Sequence, residues 1–191
     1  TKEFKMAKLS AKQIKLRKAQ SAVNNLTNTE CANKLFATLA QNPFLCATVG
    51  ISIAEILKHL KEGTFDKKAK LGNFVAFTCN DVQNRVHSMY PQDFTKPYPI
   101  EAIGAVVMQL LEHAELLKGV SAPLIPKVEH GKLTVEIKVD DNGVELTEES
   151  NEFLNKADSA CNLFTAQQNF APNFANLTMF YAQKIVDKYK A

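Results

Sequence analysis

Between residues 100 and 117 the apolar residues Ile100, Ile103, Val107, Leu110, Ala114 and Leu117 follow one another at steps of 3, 4, 3, 4 and 3. This spacing lays them along one stripe of an α-helix, which Val106 and Leu111 widen. A stripe of that length has to be covered by a partner helix. Folding back within one chain supplies such a helix, and a seam between two copies is the alternative. Either solution commits the chain to a mainly α architecture.

Helix punctuation recurs on both sides of the stripe. Ser10-Ala11-Lys12-Gln13 and Thr27-Asn28-Thr29-Glu30 match the capping box, in which side chains satisfy first-turn N–H groups. They predict helices over 11–26 and 28–41, the second stopped by Asn42-Pro43. Ile51, Ala54, Ile56, Leu57 and Leu60 predict a buried third helix that ends near Gly63. Leu71, Phe74, Val75, Thr78, Val82, Val86 and Met89 give a fourth, halted by Pro91. Residues 92–99 read as an extended connector, and Pro99 suits the first position of the striped helix.

Past Ser121–Pro126 the period changes from 3.6 to 2. Leu133, Val135, Ile137 and Val139 alternate with Lys132, Thr134, Glu136 and Lys138, as in a half-buried strand. Asp140-Asp141-Asn142-Gly143 then reads as a hairpin turn before Val144-Glu145-Leu146. A strand at Lys127–Glu129, turning at His130-Gly131, would extend the hairpin to a three-stranded meander. Two strands alone are marginal in water, so this unit must lie on the helices or on another chain. Thr147-Glu148-Glu149 opens a further helix with acids in its first turn, where the helix dipole favours them. A last helix runs from about Asn173 through Leu177, Tyr181, Ile185 and Tyr189.

The expected fold is therefore a bundle of about six to seven helices with a small antiparallel β-hairpin or three-stranded meander near residues 127–147. Along the chain this divides into a basic arm and the start of the first helix (1–18), a helical domain (19–120), a Pro-containing linker and hairpin (121–147), and C-terminal helices on the same core (148–191). At 191 residues, roughly 70% of the unfolded surface is buried on folding, enough for one core without disulfides or metal. Cys31, Cys46, Cys79 and Cys161 form no CxxC pair and sit among apolar neighbours, which reads as buried thiols. Two disulfides in any of three connectivities are the alternative. No run of about 18 consecutive apolar residues is present, and no apolar stretch follows the charged N-terminus as in a secretory signal. The expectation is a soluble chain in the cytoplasm or within a virion, with no membrane partner.

Catalytic signatures are sparse. His59, His87, His113 and His130 form no HxH, HxxxH or HExxH. Glu112 adjoins His113, whereas helical di-iron ligation needs Glu three residues earlier. Glu55 and His59 share a helix face at i,i+4, which suits a surface pair. Counted from Asp140, a calcium loop would need Gly at position 6 and Glu at position 12, where Glu145 and Asn151 stand. Phosphate-binding glycine motifs and GxSxG are missing. The reading is no catalytic residues, no metal and no cofactor. Phe164, Phe170, Phe174 and Phe180 have the chemistry of stacking platforms, but near helix ends they read as core.

Charge is the one uneven property. Residues 1–18 carry Lys2, Lys5, Lys8, Lys12, Lys15, Arg17 and Lys18 against Glu3, a net of +6. The remaining residues hold 16 bases and 19 acids, a net of −3, so the overall +3 hides a partition. Asp140, Asp141, Glu145, Glu148, Glu149 and Glu152 make an acidic pole with no base between them. A basic arm of this kind suits polyanions, through counterion release at each phosphate contact. Its apolar neighbours Leu9, Leu16 and Val23 border the basic arc rather than oppose it, unlike a membrane-surface helix. The leading expectation is a non-enzymatic binding or assembly protein, such as a phage, virion or nucleoprotein component. Its arm would engage nucleic acid or an acidic protein surface, including the acidic pole of a neighbouring copy in a homo-oligomer. Two alternatives stand beside it: a small helical hydrolase with a scattered Cys/His/carboxylate site, and a regulator that binds a partner by strand addition along Lys132–Val139.

Overall fold

A computed structural model of the chain describes residues 27–64, 70–91, 98–124, 127–129, 132–134, 138–141, 143–162 and 170–190, with the helical positions Ala11 and Ile14. Among them are six helices: α1 (Asn28–Gln41), α2 (Pro43–Glu62), α3 (Leu71–Met89), α4 (Ile100–His113), α5 (Glu148–Asn162) and α6 (Phe170–Lys188). A small antiparallel ribbon separates α4 from α5. The architecture is the mainly α bundle with a β appendage that the periodicity implies.

The first helix starts on the capping box expected of it. Glu30 N donates to Thr27 Oγ1 at 3.2 Å, and Thr27 N donates to Glu30 Oε2 at 2.8 Å. Asn42-Pro43 ends this helix and also begins the next. Proline lacks only an N–H that the first helical turn leaves unpaired anyway. Hence α2 starts at Pro43, well before the Ile51 at which the sequence pattern first shows it.

Every residue of α2 from Leu45 to Ile53 is buried, which is the mark of a helix covered on all sides. Its neighbours are α1, α3, α4, α5 and, most extensively, α6. By length and apolar composition α2 is also the one described helix able to cross a membrane; here its sides are packed against other helices. The approach of α6 depends on Gly50. A Cβ there would lie 2.6 Å from Thr178 Oγ1 and 2.9 Å from the Phe174 carbonyl oxygen, closer than real packing allows. Thr178 Oγ1 also donates to the Cys46 carbonyl at 2.7 Å, so the contact is pinned by a bond as well as by shape. Phe153, Phe174, Tyr181, Ile53, Ile56, Leu57, Ile103 and Met108 complete the core, each aliphatic or aromatic side chain contributing about 1.5–3 kcal/mol by burial.

The stripe on α4 is spent within the chain. Ile103, Val107 and Leu110 are fully buried, Ala114 is buried and Ile100 is half-buried. The helix is shorter than its stripe, however. It stops at His113, because Ala114 caps it and Glu115 turns into the left-handed region at φ 59°. Leu117 is therefore not on the helix; it lies in a strand, where it is still buried.

The ribbon consists of β1 (Leu117–Lys118), β2 (Val120–Ser121), β3 (Lys127–Glu129), β4 (Lys132–Thr134), β5 (Lys138–Val139) and β6 (Glu145–Leu146). Pairing is nested: β3 with β4, β2 with β5, and β1 with β6. Glu129 stands opposite Lys132, so the expected hairpin at 127–134 is present, though His130 and Gly131 lie outside the described residues. The expected second hairpin at 140–143 is not. The strands on either side of Asp140–Gly143 pair with β2 and β1 rather than with each other. One residue, Gly119, separates those two strands, so the longer return path bulges outward. Gly143 N donates to the Asp140 carbonyl at 2.8 Å, and Asp140 N donates to the Gly119 carbonyl at 2.9 Å. Gly119 has φ 84°, and a Cβ on it would collide with the Gly143 carbonyl oxygen. The ribbon rests on α4 through β1 and β4 and on α2 through β6.

The start of α5 is boxed by Thr147 and Ser150. Ser150 N donates to Thr147 Oγ1 at 3.1 Å, and Thr147 N to Ser150 Oγ at 2.9 Å. Thr147 Oγ1 in turn donates to the Glu115 carbonyl at 2.6 Å, joining this helix to the left-handed corner. The last helix begins at Phe170, ahead of Asn173, with Pro172 in its first turn.

Candidate functional site

The acidic pole resolves into two parts with different chemistry. Glu149 and Glu152 are taken up by bases on the C-terminal helices: Lys184 Nζ lies 2.9 Å from Glu149 Oε2, and Lys156 Nζ lies 3.3 Å from Glu152 Oε1. Sequence spacing gives the second pair at i,i+4, but the first is a tertiary contact with no local signal. Glu145 stands directly across the ladder from Lys118. That leaves Asp140, Asp141 and Glu148 exposed, with no ion pair among the described residues. The bulge opposite Gly119 holds the first two outward, and the Thr147 box places the third on the first turn of α5.

Lys2, Lys5, Lys8, Lys12, Lys15, Arg17 and Lys18 lie outside the described residues. Within their segment Ala11 and Ile14 are helical and exposed. Of the aromatic candidates, Phe174 is buried in the core. Phe180 is 46% exposed, but Lys156 Nζ sits 3.5 Å above its ring and occupies that face. Phe164 and the Phe170 side chain are outside the described set.

The described histidines are tied into structure rather than into a reactive pair. His59 Nδ1 lies 2.7 Å from Thr64 Oγ1, while its expected partner Glu55 pairs instead with Arg85 on α3. His113, mostly buried, joins three elements at the end of α4. Its Nε2 is 3.0 Å from the Ala122 carbonyl oxygen, and its Nδ1 is 2.7 Å from the Tyr189 hydroxyl. A neutral ring with its proton on Nε2 satisfies both, donating to the carbonyl and accepting from the tyrosine. Glu112 accepts from Ala122 N beside it and lies 3.4 Å from Nε2. Thr29 Oγ1 closes the junction by donating to the Tyr189 carbonyl. Burial, with Glu112 and Glu115 nearby, pushes the Tyr189 hydroxyl up from its ordinary value.

The thiols Cys31, Cys46 and Cys79 are free and buried; Cys161 lies outside the described residues. Burial pushes Cys46 up to about 12 and Cys79 up to about 11, so neither offers a thiolate near neutral pH. Cys46 Sγ donates instead to the Leu39 carbonyl at 3.0 Å. Among the described residues no cluster of three or more His, Cys, Asp or Glu is arranged to hold a metal. Three buried polar atoms lack a hydrogen-bond partner: Gln83 Oε1, Asn173 Nδ2 and the Tyr181 hydroxyl. They lie on different packing surfaces and converge on no common point in sequence or fold.

Comparison with known proteins gives no match for this chain: no family model, no curated protein and no solved structure is similar to it at a significant level.

Proposed function

We propose that this is a non-enzymatic binding or assembly protein whose lysine-rich N-terminal segment engages a polyanion, nucleic acid first among them. The observation that carries this reading is the charge partition: +6 within residues 1–18 against −3 in the rest of the chain. The pairing of Glu149 and Glu152 with Lys184 and Lys156 supports it further, because these helix bases are already neutralised and compete little with the arm. The test is fluorescence anisotropy with a labelled oligonucleotide over a salt series. Replacing Lys2, Lys5, Lys8 and Lys12 by Gln should flatten the log–log salt slope by about 0.7–0.9 for each phosphate contact removed. Full affinity and an unchanged slope in that variant would remove the arm from nucleic-acid binding.

One observation favours a second reading, in which the arm docks on another copy. Asp140, Asp141 and Glu148 are held outward without a described counter-charge, which is the complement such an arm needs. Head-to-tail contacts of this kind build rings or filaments. Light scattering in low and high salt separates the two: charge-driven assembly dissolves as salt rises, and a species of constant mass argues against it.

A further inference from the structure

The outer face of α3 carries no charge. Asn73, Ala76, Phe77, Asn80, Asn84 and Ser88 are all exposed and recur at helical spacing, in a chain that is 23% charged. Phe77 is 72% exposed, the most exposed large apolar side chain described. The side-chain amides of Asn73, Asn80 and Asn84 have no hydrogen-bond partner among the described residues. The nearest charges, Asp81 and Arg85, pair with each other at 3.0 Å at the edge of this face, and Arg85 also reaches back to Glu55. The face extends about 22 Å along the helix axis, at about 1.5 Å per residue.

From this arrangement we infer that the outer face of α3 pairs with the same face of a second copy. Depletion of charge around an exposed aromatic is the composition of an interface centre. Its complement is itself: a carboxamide both donates and accepts, so asparagine meets asparagine without like-charge repulsion. A strongly charged partner would find no counter-charge here. A two-fold axis near Asn80 directs Phe77 of each copy toward Asn84 of the other and leaves the Asp81–Arg85 pairs at the rim. The small residues Ala76 and Ser88 let two helix axes approach to the usual 8–10 Å. Such an isologous contact closes at a dimer. It is also independent of the arm, since it uses no ionic attraction.

The test is sedimentation equilibrium of the full chain in about 1 M salt, where the screening length is about 3 Å and arm contacts are suppressed. A concentration-dependent dimer is expected there. Phe77→Asp should weaken it by about 30-fold or more, the loss typical of a central aromatic anchor, with helical circular dichroism unchanged because the site is exposed. At lower salt Asn80→Arg and Asn80→Asp should each be monomeric alone and associate when mixed. A monomer at every concentration, a Phe77→Asp dimer of undiminished affinity, or no association between the two Asn80 variants would overturn the proposal. Loss of nucleic-acid binding by the arm would leave these results unchanged.

Discussion

Gly50 and Gly119 stand in two regions that are held together by opposite means. In the helical body around α2, the missing side chain at Gly50 lets α6 press against a helix that is buried on every side. In the ribbon from Leu117 to Leu146, the missing side chain at Gly119 lets the backbone take a left-handed turn under the Gly143 carbonyl. The body is stabilised by apolar area removed from water. The ribbon consists of ladders two or three residues long, and its Val139 is 46% exposed. Its shape depends on backbone bonds and one conformation that only glycine adopts freely. A fold built this way should lose the two regions separately only when the damage starts in the ribbon.

The largest effect should come from Phe153→Ala. Phe153 is fully buried and stacks on Tyr181 with ring centroids 5.1 Å apart, so truncation costs about 3–5 kcal/mol. Denaturant unfolding followed by circular dichroism should show one transition at a lower midpoint, with helix and ribbon lost together. Two separate transitions would break the contrast drawn here.

An intermediate and local effect is expected from Gly119→Ala, at about 1–3 kcal/mol for a strained backbone residue. Hydrogen exchange should quicken at the paired amides of residues 117–121 and 138–146 while those of α2 keep their protection. Equal loss of protection in α2 would show that the ribbon is part of the same cooperative unit.

Near neutral pH the third effect is the smallest, and it belongs to the body alone. Cys46 and Cys79 have folded values raised to about 12 and about 11 from 9.0. A thiol raised on folding releases its proton more readily when unfolded, so its contribution is complete below pH 9 and is lost as the pH climbs through 11 to 12. Alkaline titration of stability should therefore steepen above pH 9, and Cys46→Ala with Cys79→Ala should reduce that steepening. An unchanged profile in the double variant would assign the alkaline loss to other groups.

The helical body was readable in the sequence wherever its signals are local. Thr27 and Glu30 announce the start of α1, and Leu71 to Met89 carry their own period up to Pro91. Asn42-Pro43 misleads because the same proline that excludes continuation of one helix suits the first turn of the next. The end of α4 is hidden for another reason. Leu117 continues the stripe, while the turn is made by Glu115 in a left-handed conformation that the identity of a glutamate does not advertise. Asp140–Gly143 has hairpin chemistry, yet its flanking strands are claimed by Leu117–Ser121, a pairing no nearby residue encodes. The acidic pole was legible as six residues, but its division was not, since Lys184 reaches Glu149 only after α6 has packed.

The meeting of Thr29 with Tyr189 has a topological consequence. The contact spans 160 positions, so nearly the whole described chain is a closed circuit. Closing a loop of that length is entropically costly, with the cost growing only logarithmically, and places the clasp among the late contacts of folding. It also makes the packing separable from the linear order of the helices. A circular permutant that bridges residues 27 and 190 with a short linker, and opens the chain at an exposed connector, would write the same bundle in a different sequence order.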